Sequence, residues 1–473
     1  MKQFKTIAFV MLLVTLLLAA CGPAATEAPA PTAVPVQTEE PAATEEPAAT
    51  EEPAMTEEPA ATEEAMAEVS CEEPVKVGLI TDLSGALAIY GAHILPSFML
   101  GMEYATGAPG SAGEVFDFTA TQQNTFMLDN CEIQVFVRDD ASTPDNTATI
   151  ARELIDDEDV DILVGTVSSG ATATLQGIAA ESQTPLIVAP AAANDITGVN
   201  FNEYTFRTSR NNYQDAINEC QYLTKQYDTF VQIAPDYAFG QGSAAAFRDA
   251  CTLGGGEFVA DDIFAPLDTT DFTSYMEQVL NSGADAYIVT WAGGGFVPLM
   301  QAATDLGVTE EMELGATFID NTLMPVWYGN TVGSTAGILY HHSAPDNAAN
   351  DFLVAEQKAR YGTMPDLFAA DGMNAAIMLV EGLKATGGDT SADALIDAFE
   401  GMTFDGPKGE VYIRPEDHVA IQDMYILTLV NLTDPDANFY EYVETTRPEP
   451  PCLLPENLQD RCGDLPVGSL SGQ

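Results

Sequence analysis

Basic residues are scarce in this chain: 16 Lys and Arg stand against 72 Asp and Glu, a formal net charge of −56. Binding a phosphate backbone needs clustered Lys and Arg, so nucleic acid is excluded as a partner. Histidine is scarcer, with four in all, and the pair His341-His342 has no Asp, Glu or Cys nearby at ligand spacing, so no metal is expected. No Asp-rich loop has EF-hand spacing either, so the acidity reads as a heavily solvated surface suited to salty surroundings. Enzyme signatures are missing as well. No Gly-x-Ser-x-Gly elbow surrounds Ser168, and Gly293-Gly294-Gly295 lacks the Lys and Ser/Thr of a phosphate loop. Neither catalysis nor a cofactor is expected. Long hydrophobic runs are limited to Ile7–Ala20, somewhat short of the roughly 20 residues of a spanning helix.

That run follows Lys2 and Lys5, which gives it the charged start and short apolar middle of an export signal over residues 1–20. Leu18, Ala19 and Ala20 before Cys21 resemble the lipobox of bacterial lipoproteins. The resemblance implies cleavage before Cys21 and a lipid on its thiol, and it accounts for an odd total of seven cysteines. One acyl chain binds a membrane only marginally, whereas two or three anchor it. Residues 21–70 carry a Thr-Glu-Glu-Pro-Ala-Ala repeat with almost nothing to bury, which predicts a disordered tether. About fifty residues at roughly 3.1 Å each reach on the order of 150 Å, enough to hold a domain clear of lipid headgroups.

Six cysteines remain, as suits an oxidising location. Cys71 precedes VKVGLIT and Cys131 precedes EIQVFVRDD, so both sit at the entry ends of neighbouring parallel strands, which predicts a Cys71–Cys131 bridge. Cys220 and Cys251 fall on successive helical patterns flanking FVQIAP, and Cys452 and Cys462 close a short loop, giving two further expected pairs. Strand patterns at Val75–Thr81, Ile133–Arg138, Ile162–Thr166, Leu186–Ala189, Thr229–Ala234, Phe258–Phe264, Ala286–Thr290 and Glu313–Ala316 alternate with helical ones. The helical patterns include Asn146–Asp156, Ala171–Ser182, Tyr213–Gln226 and Gly242–Leu253. Such alternation predicts an α/β fold of two doubly wound parallel-sheet lobes, broken near Arg207.

Ligands of doubly wound sheets gather beyond the carboxyl ends of the strands. The loops there are Asp82–Gly91 with Ser84 and Tyr90, Val167–Thr172 with Ser168 and Ser169, and Pro190–Asn194. Small residues, hydroxyls and backbone N–H groups near helix starts are the means by which a site without basic side chains holds a carboxylate. LSGALAIYG, VGTVSSGAT, PLIVAPAAAND followed by FRTS, YAFGQG and GPKGEVYIRPEDH, in that order from about Val75 to Val430, resemble the type I periplasmic binding proteins of the leucine/isoleucine/valine-binding group.

The resemblance implies a solute receptor of an ABC importer whose two lobes close on a small molecule. Its crossovers fall near Arg207, His342 and His418. Residues 74–207 plus 343–418 then form the N-terminal lobe, residues 208–342 plus 419–445 the C-terminal lobe, and residues 446–473 a Pro- and Cys-containing tail. His341-His342 falls on a crossover, against a metal site. Carried over residue by residue, the ligand carboxylate meets Ser168 or Ser169 and the backbone at Ala191, with Tyr90 beside it.

Departures from the family concern the ammonium of an amino acid. The threonine that helps hold it corresponds to Ala193, and the second lobe's tyrosine and acidic residue correspond to Phe239 and Thr317. An ammonium buried without a carboxylate costs several kcal/mol, so Asp320 or Asp236 has to replace the lost acid. Otherwise Phe239 and Trp291 wall a site for an aromatic acid, an amide or a short fatty acid. The expected partners are this small molecule, an ABC permease and, through Cys21, the outer face of a membrane, with the chain acting as a monomer. The alternative keeps the same trap but feeds a membrane signalling sensor.

Overall fold

The computed structural model describes residues 68–108, 115–315, 317 and 319–472. The expected signal segment, Cys21 and the tether up to residue 67 lie outside them. The first stretch of chain runs through β1 (Val75–Thr81), α1 (Ala88–Thr106), β2 (Gln123–Leu128), β3 (Cys131–Asp139), α2 (Pro144–Asp156), β4 (Ile162–Val164), α3 (Ser169–Ser182), β5 (Leu186–Val188) and β6 (Thr205–Arg207). These strands make one sheet in the order β2-β3-β1-β4-β5-β6. Every strand after β2 pairs in parallel, with Val77 opposite both Val135 and Ile162. Helices cover both faces, and the parallel strands read as near-continuous apolar runs because neither of their faces meets water.

A second set follows: α4 (Asn212–Leu223), β7 (Thr229–Pro235), α5 (Ala238–Leu253), β8 (Glu257–Phe258), β9 (Ile263–Ala265), α6 (Thr273–Ser282), β10 (Ala286–Val289), α7 (Phe296–Asp305), α8 (Val308–Glu311), β11 (Glu313–Leu314), α9 (Met324–Trp327) and β12 (Thr335–Ile338). Its parallel sheet runs β11-β10-β7-β8, with β9 also on β7. The pattern Phe258–Phe264 is therefore two short strands and not one: both pair with β7, at Phe230 and at Ile233–Pro235, and the polar segment between them leaves the sheet. At the start of α4, Asn211 accepts the Gln214 N–H while the Gln214 side chain accepts the Asn211 N–H, so two end donors are satisfied reciprocally.

The chain then returns to the first lobe with α10 (Ala348–Tyr361), α11 (Ala369–Thr386), α12 (Ala392–Phe399), β13 (Thr403–Gly406), β14 (Gly409–Ile413) and β15 (Ala420–Ile421). It passes back into the second lobe with β16 (Met424–Leu429) and β17 (Tyr440–Thr446) before a C-terminal segment. Helix α11 lies along α1. A Cβ at Gly101 would sit 2.8 Å from the Ala376 Cβ, so only glycine permits this approach. Arg360 of α10 grips the buried Glu103 of α1 with two bonds of 2.9 and 2.7 Å. β15 pairs with β14 whereas β16 pairs with β12 and β17, so the chain changes lobes between Ile421 and Met424.

Three disulfides are formed, Cys71–Cys131, Cys220–Cys251 and Cys452–Cys462, as the cysteine placement predicts. The first ties the entry to β1 onto its neighbour β3. Around the crossovers the packing is dense and polar. Arg207 is fully buried, and its terminal nitrogens bond the carbonyls of Ala191, Arg210 and Ala193 at 2.7, 3.1 and 2.6 Å. The His418 ring stacks on Phe206 at 3.9 Å and bonds the Thr205 carbonyl and Glu400, each at 2.9 Å.

Candidate functional site

The loops after β1, β4 and β5 of the first lobe face those around α5, β10 and β11 of the second. Between them lies a cavity of about 110 Å³, the scale on which an apolar void accepts a single benzene-sized guest. Leu87, Tyr90, Ser169, Pro190, Ala191, Leu367 and Phe368 line it from the first lobe, and Tyr237, Phe239, Ser243, Trp291, Phe296, Thr317 and Asp320 from the second.

Asp82 shapes the first loop: its carboxylate accepts the N–H groups of Ser84, Gly85 and Leu87 at 3.1, 2.5 and 2.9 Å, turning the chain so that Leu87 and Tyr90 face the cavity. Ser84 does not line the cavity. It is exposed, and its hydroxyl donates to Asp139 at 2.6 Å. Ser168 is not on the wall either, because its hydroxyl caps α3 by accepting the Ala171 N–H. The next residue, Ser169, lines the cavity and accepts the Ala193 N–H at 3.2 Å. Ala191 lines it, whereas Ala193 sits behind with its carbonyl on Arg207.

The expectation of a site without basic side chains is corrected by Arg210, which lines the cavity and is 5% exposed. Its Nε donates to Asp215 Oδ1 at 3.1 Å and its Nη1 to the Pro190 carbonyl at 3.0 Å. Its Cζ lies 5.1 Å from the Phe368 ring centroid. Nη2 has no acceptor among the described residues, so one edge of the guanidinium is left for something else. Asp215 carries a carboxyl pushed up by burial, against the pull of Arg210.

Opposite in character is Asp320, 1% exposed. Its Oδ1 accepts the N–H groups of Thr322 and Leu323 at 3.1 and 3.0 Å. Burial and then the nearby Asp366 raise its pKa. Asp236 is not on the wall and is bonded to Gln241 at 2.8 Å. Thr317 lines the cavity, as do Phe239 and Trp291. Trp291 is also packed edge-on against Phe272 at 4.8 Å, so it serves both as core and as wall. Burial pushes the Tyr90 phenol up to about 12 and drives the His93 imidazole down to about 4, so both are neutral near pH 7.

Hydrogen bonds join the lobes across the cleft. The Gly293 N–H donates to Tyr90 Oη at 3.2 Å. The Asn321 N–H donates to both oxygens of Asp366 at 3.1 and 3.0 Å, and Asn194 Nδ2 donates to the Gly242 carbonyl at 3.0 Å. Gly293 is held at φ +73°, and an added Cβ would meet the Ala86 carbonyl at 2.6 Å. Among the described residues no group of His, Cys, Asp and Glu is placed to hold a metal ion. His341 is bonded to Ser343 and to the Ala437 carbonyl.

The family model described as periplasmic binding protein matches residues 74–434. Leu/Ile/Val-binding protein homolog 6 of Brucella melitensis is 26% identical over 381 residues, covering 78% of this chain and 90% of that one. A protein of Rhodopseudomonas palustris described as an ABC-type branched-chain amino acid transporter has a crystal structure with a TM-score of 0.65 and 32% identity, covering 79% of this chain and 96% of that one. A solute-binding protein of an ABC transporter from Rhodopseudomonas palustris BisB5, crystallised with 3,4-dihydroxybenzoic acid, gives 0.66 and 27%, covering 79% and 97%.

Proposed function

The chain belongs to the periplasmic binding protein family, and from that premise we propose that it is the receptor of an ABC importer for a small carboxylate with an apolar or aromatic body. It is a binding protein and not an enzyme. The observation that carries the ligand class is the pairing of Arg210 and Asp320 on one aromatic-walled cavity. A carboxylate takes the open edge of Arg210 with the Ser169 and Ala191 loop beside it. The ring or side chain lies among Tyr90, Phe239, Trp291 and Phe368, and a hydroxyl or ammonium at the far end donates to Asp320.

Relatives named for leucine, isoleucine and valine and a neighbour holding a dihydroxybenzoate support both versions of that far end. Charge-assisted hydrogen bonds contribute about 1.5–3 kcal/mol each, so the charged ends select while the aromatic walls supply much of the affinity. Contacts from both lobes to one ligand stabilise the closed state over the open one, which gives a permease a shape to recognise. Cys21 anchors the receptor outside the membrane, and the tether gives it reach.

A thermal-shift panel tests the ligand class: leucine, phenylalanine, benzoate and 4-hydroxybenzoate, each against its own primary amide. Saturation at a hundred times the dissociation constant adds about 2.7 kcal/mol to the native state. At least one carboxylate is expected to raise the melting temperature while its amide does not. In Arg210→Met/Asp215→Asn, which removes the guanidinium without leaving its partner charged and buried, the same carboxylate is expected to bind roughly 10- to 100-fold more weakly. Amides that bind as well as acids, or a double variant that binds the acid unchanged, would overturn the reading.

A further inference from the structure

The family match ends at residue 434, and the chain beyond β17 joins both lobes along one flank of the cleft. Leaving β17, Arg447 bonds Glu410 in the first lobe and Asp423 at the final crossover. The Pro448 carbonyl accepts Gln214 Nε2 at 3.3 Å, and the Pro450 carbonyl accepts Arg414 Nη1 at 3.0 Å. Cys452 and Cys462 then close a small apolar cluster with Leu454 onto Phe201 of the first lobe. Arg461 donates to the Pro415 and Glu416 carbonyls and to Glu400, at 2.7, 3.1 and 2.9 Å.

The chain turns back from there to the second lobe. The Leu470 N–H donates to Asp249 of α5 at 2.8 Å, and Leu453 and Leu470 pack on the cluster that contains Tyr213 and Phe247. Leu453 also abuts Gly198 of the first lobe, where an added Cβ would lie 3.0 Å from its own. The seam so covered is the one at which Asn194 bonds Gly242. Moving the lobes apart separates the turn Asn194–Thr197 from α5, and with it Gly198 and Phe201 from Asp249.

We propose that the segment from Arg447 to Gly472 is a strap that holds the two lobes near their closed position before ligand arrives, with the Cys452–Cys462 bridge keeping its first-lobe half in place. The strap rests on the two-lobe capture reading and adds to it. Contacts present only in the closed state raise the fraction of receptor competent to grip, and the apparent affinity rises by the same factor.

Two backbone amides report lobe opening directly, because the N–H groups of Gly293 and Asn321 bond only to the opposite lobe. Their hydrogen exchange is measured in the ligand-free full chain, in a chain ending at Gly463, and in Leu470→Pro. The last variant deletes the N–H that Asp249 accepts while leaving the disulfide intact. Exchange at Gly293 and Asn321 is expected to quicken at least tenfold in both variants, with β1 and β7 amides unchanged. If the shortened chain does not fold, Leu470→Pro alone decides. Rapid exchange at the two amides that is equal with and without the strap overturns the strap and leaves the capture reading standing. Protection as strong as that of β1 in every protein means that the lobes do not open, and both fail.

Discussion

Arg210 shows what a sequence conceals at the scale of one residue. FRTS followed by a second arginine reads as a crossover, and two arginines three positions apart give no sign of which one faces a ligand. Three-dimensional placement decides: Arg207 spends its terminal nitrogens on three carbonyls, and Arg210 keeps one edge open. Ser168 and Ser169 pose the same difficulty, since helix capping uses one hydroxyl and releases the next residue to the wall. A buried acid outside the site yields a separate prediction. Glu219 accepts the Gly337 N–H at 2.5 Å with Oε2, and its Oε1 has no partner. Burial pushes its carboxyl up to about 8, above the ordinary value near 4.3. The folded protein thus holds a proton that the unfolded chain releases earlier. The associated stability is complete below about pH 4 and is lost as pH rises through about 8. Glu219→Gln keeps an acceptor and cannot ionise. Its stability relative to the parent is expected to rise between about pH 5 and pH 9 by on the order of 3 kcal/mol, read from melting temperatures. A constant difference across that range would contradict the assignment.

At the scale of elements, the parallel strands were legible because strands buried on both faces leave unbroken apolar runs; Val75–Thr81 is observed with the bounds its sequence pattern indicates. Strands with mixed exposure left no such trace. β2 is half polar and joins β3 antiparallel, and β17 is exposed along most of its length and pairs only with β16. The turn Gly293–Gly295, which resembles a phosphate loop only in its glycines, is where the second lobe meets the first. Gly293→Ala is expected to weaken binding of the panel's carboxylate at least tenfold, because its Cβ runs into the Ala86 carbonyl only when the lobes are together. The positive φ itself costs about 1 kcal/mol for alanine, which lowers the ligand-free melting temperature by a few degrees at most. A variant that loses stability but keeps its affinity would show that Gly293 serves the turn and not the closure.

For the molecule as a whole, the alternation of strand and helix patterns foretold two α/β lobes. No local signal marks where a chain passes between lobes, so the sequence suggests those points only through resemblance. The tail was the least legible part: its Pro and Cys content announces a closed loop, but its role depends on groups from Gly198 to Glu416 that sequence order scatters. Ser169, Arg210 and Asp320, likewise, come from three distant segments and meet only because two lobes face each other. Closure upon a small acid is the central claim. Small-angle X-ray scattering of Leu470→Pro, whose released strap lets the ligand-free lobes part, without ligand and with the carboxylate selected by the thermal-shift panel, tests it most directly. The radius of gyration is expected to fall on saturation and to stay the same with the matching amide. A carboxylate that raises the melting temperature while leaving the scattering curve unaltered would mean that it binds without drawing the lobes together, contrary to the account.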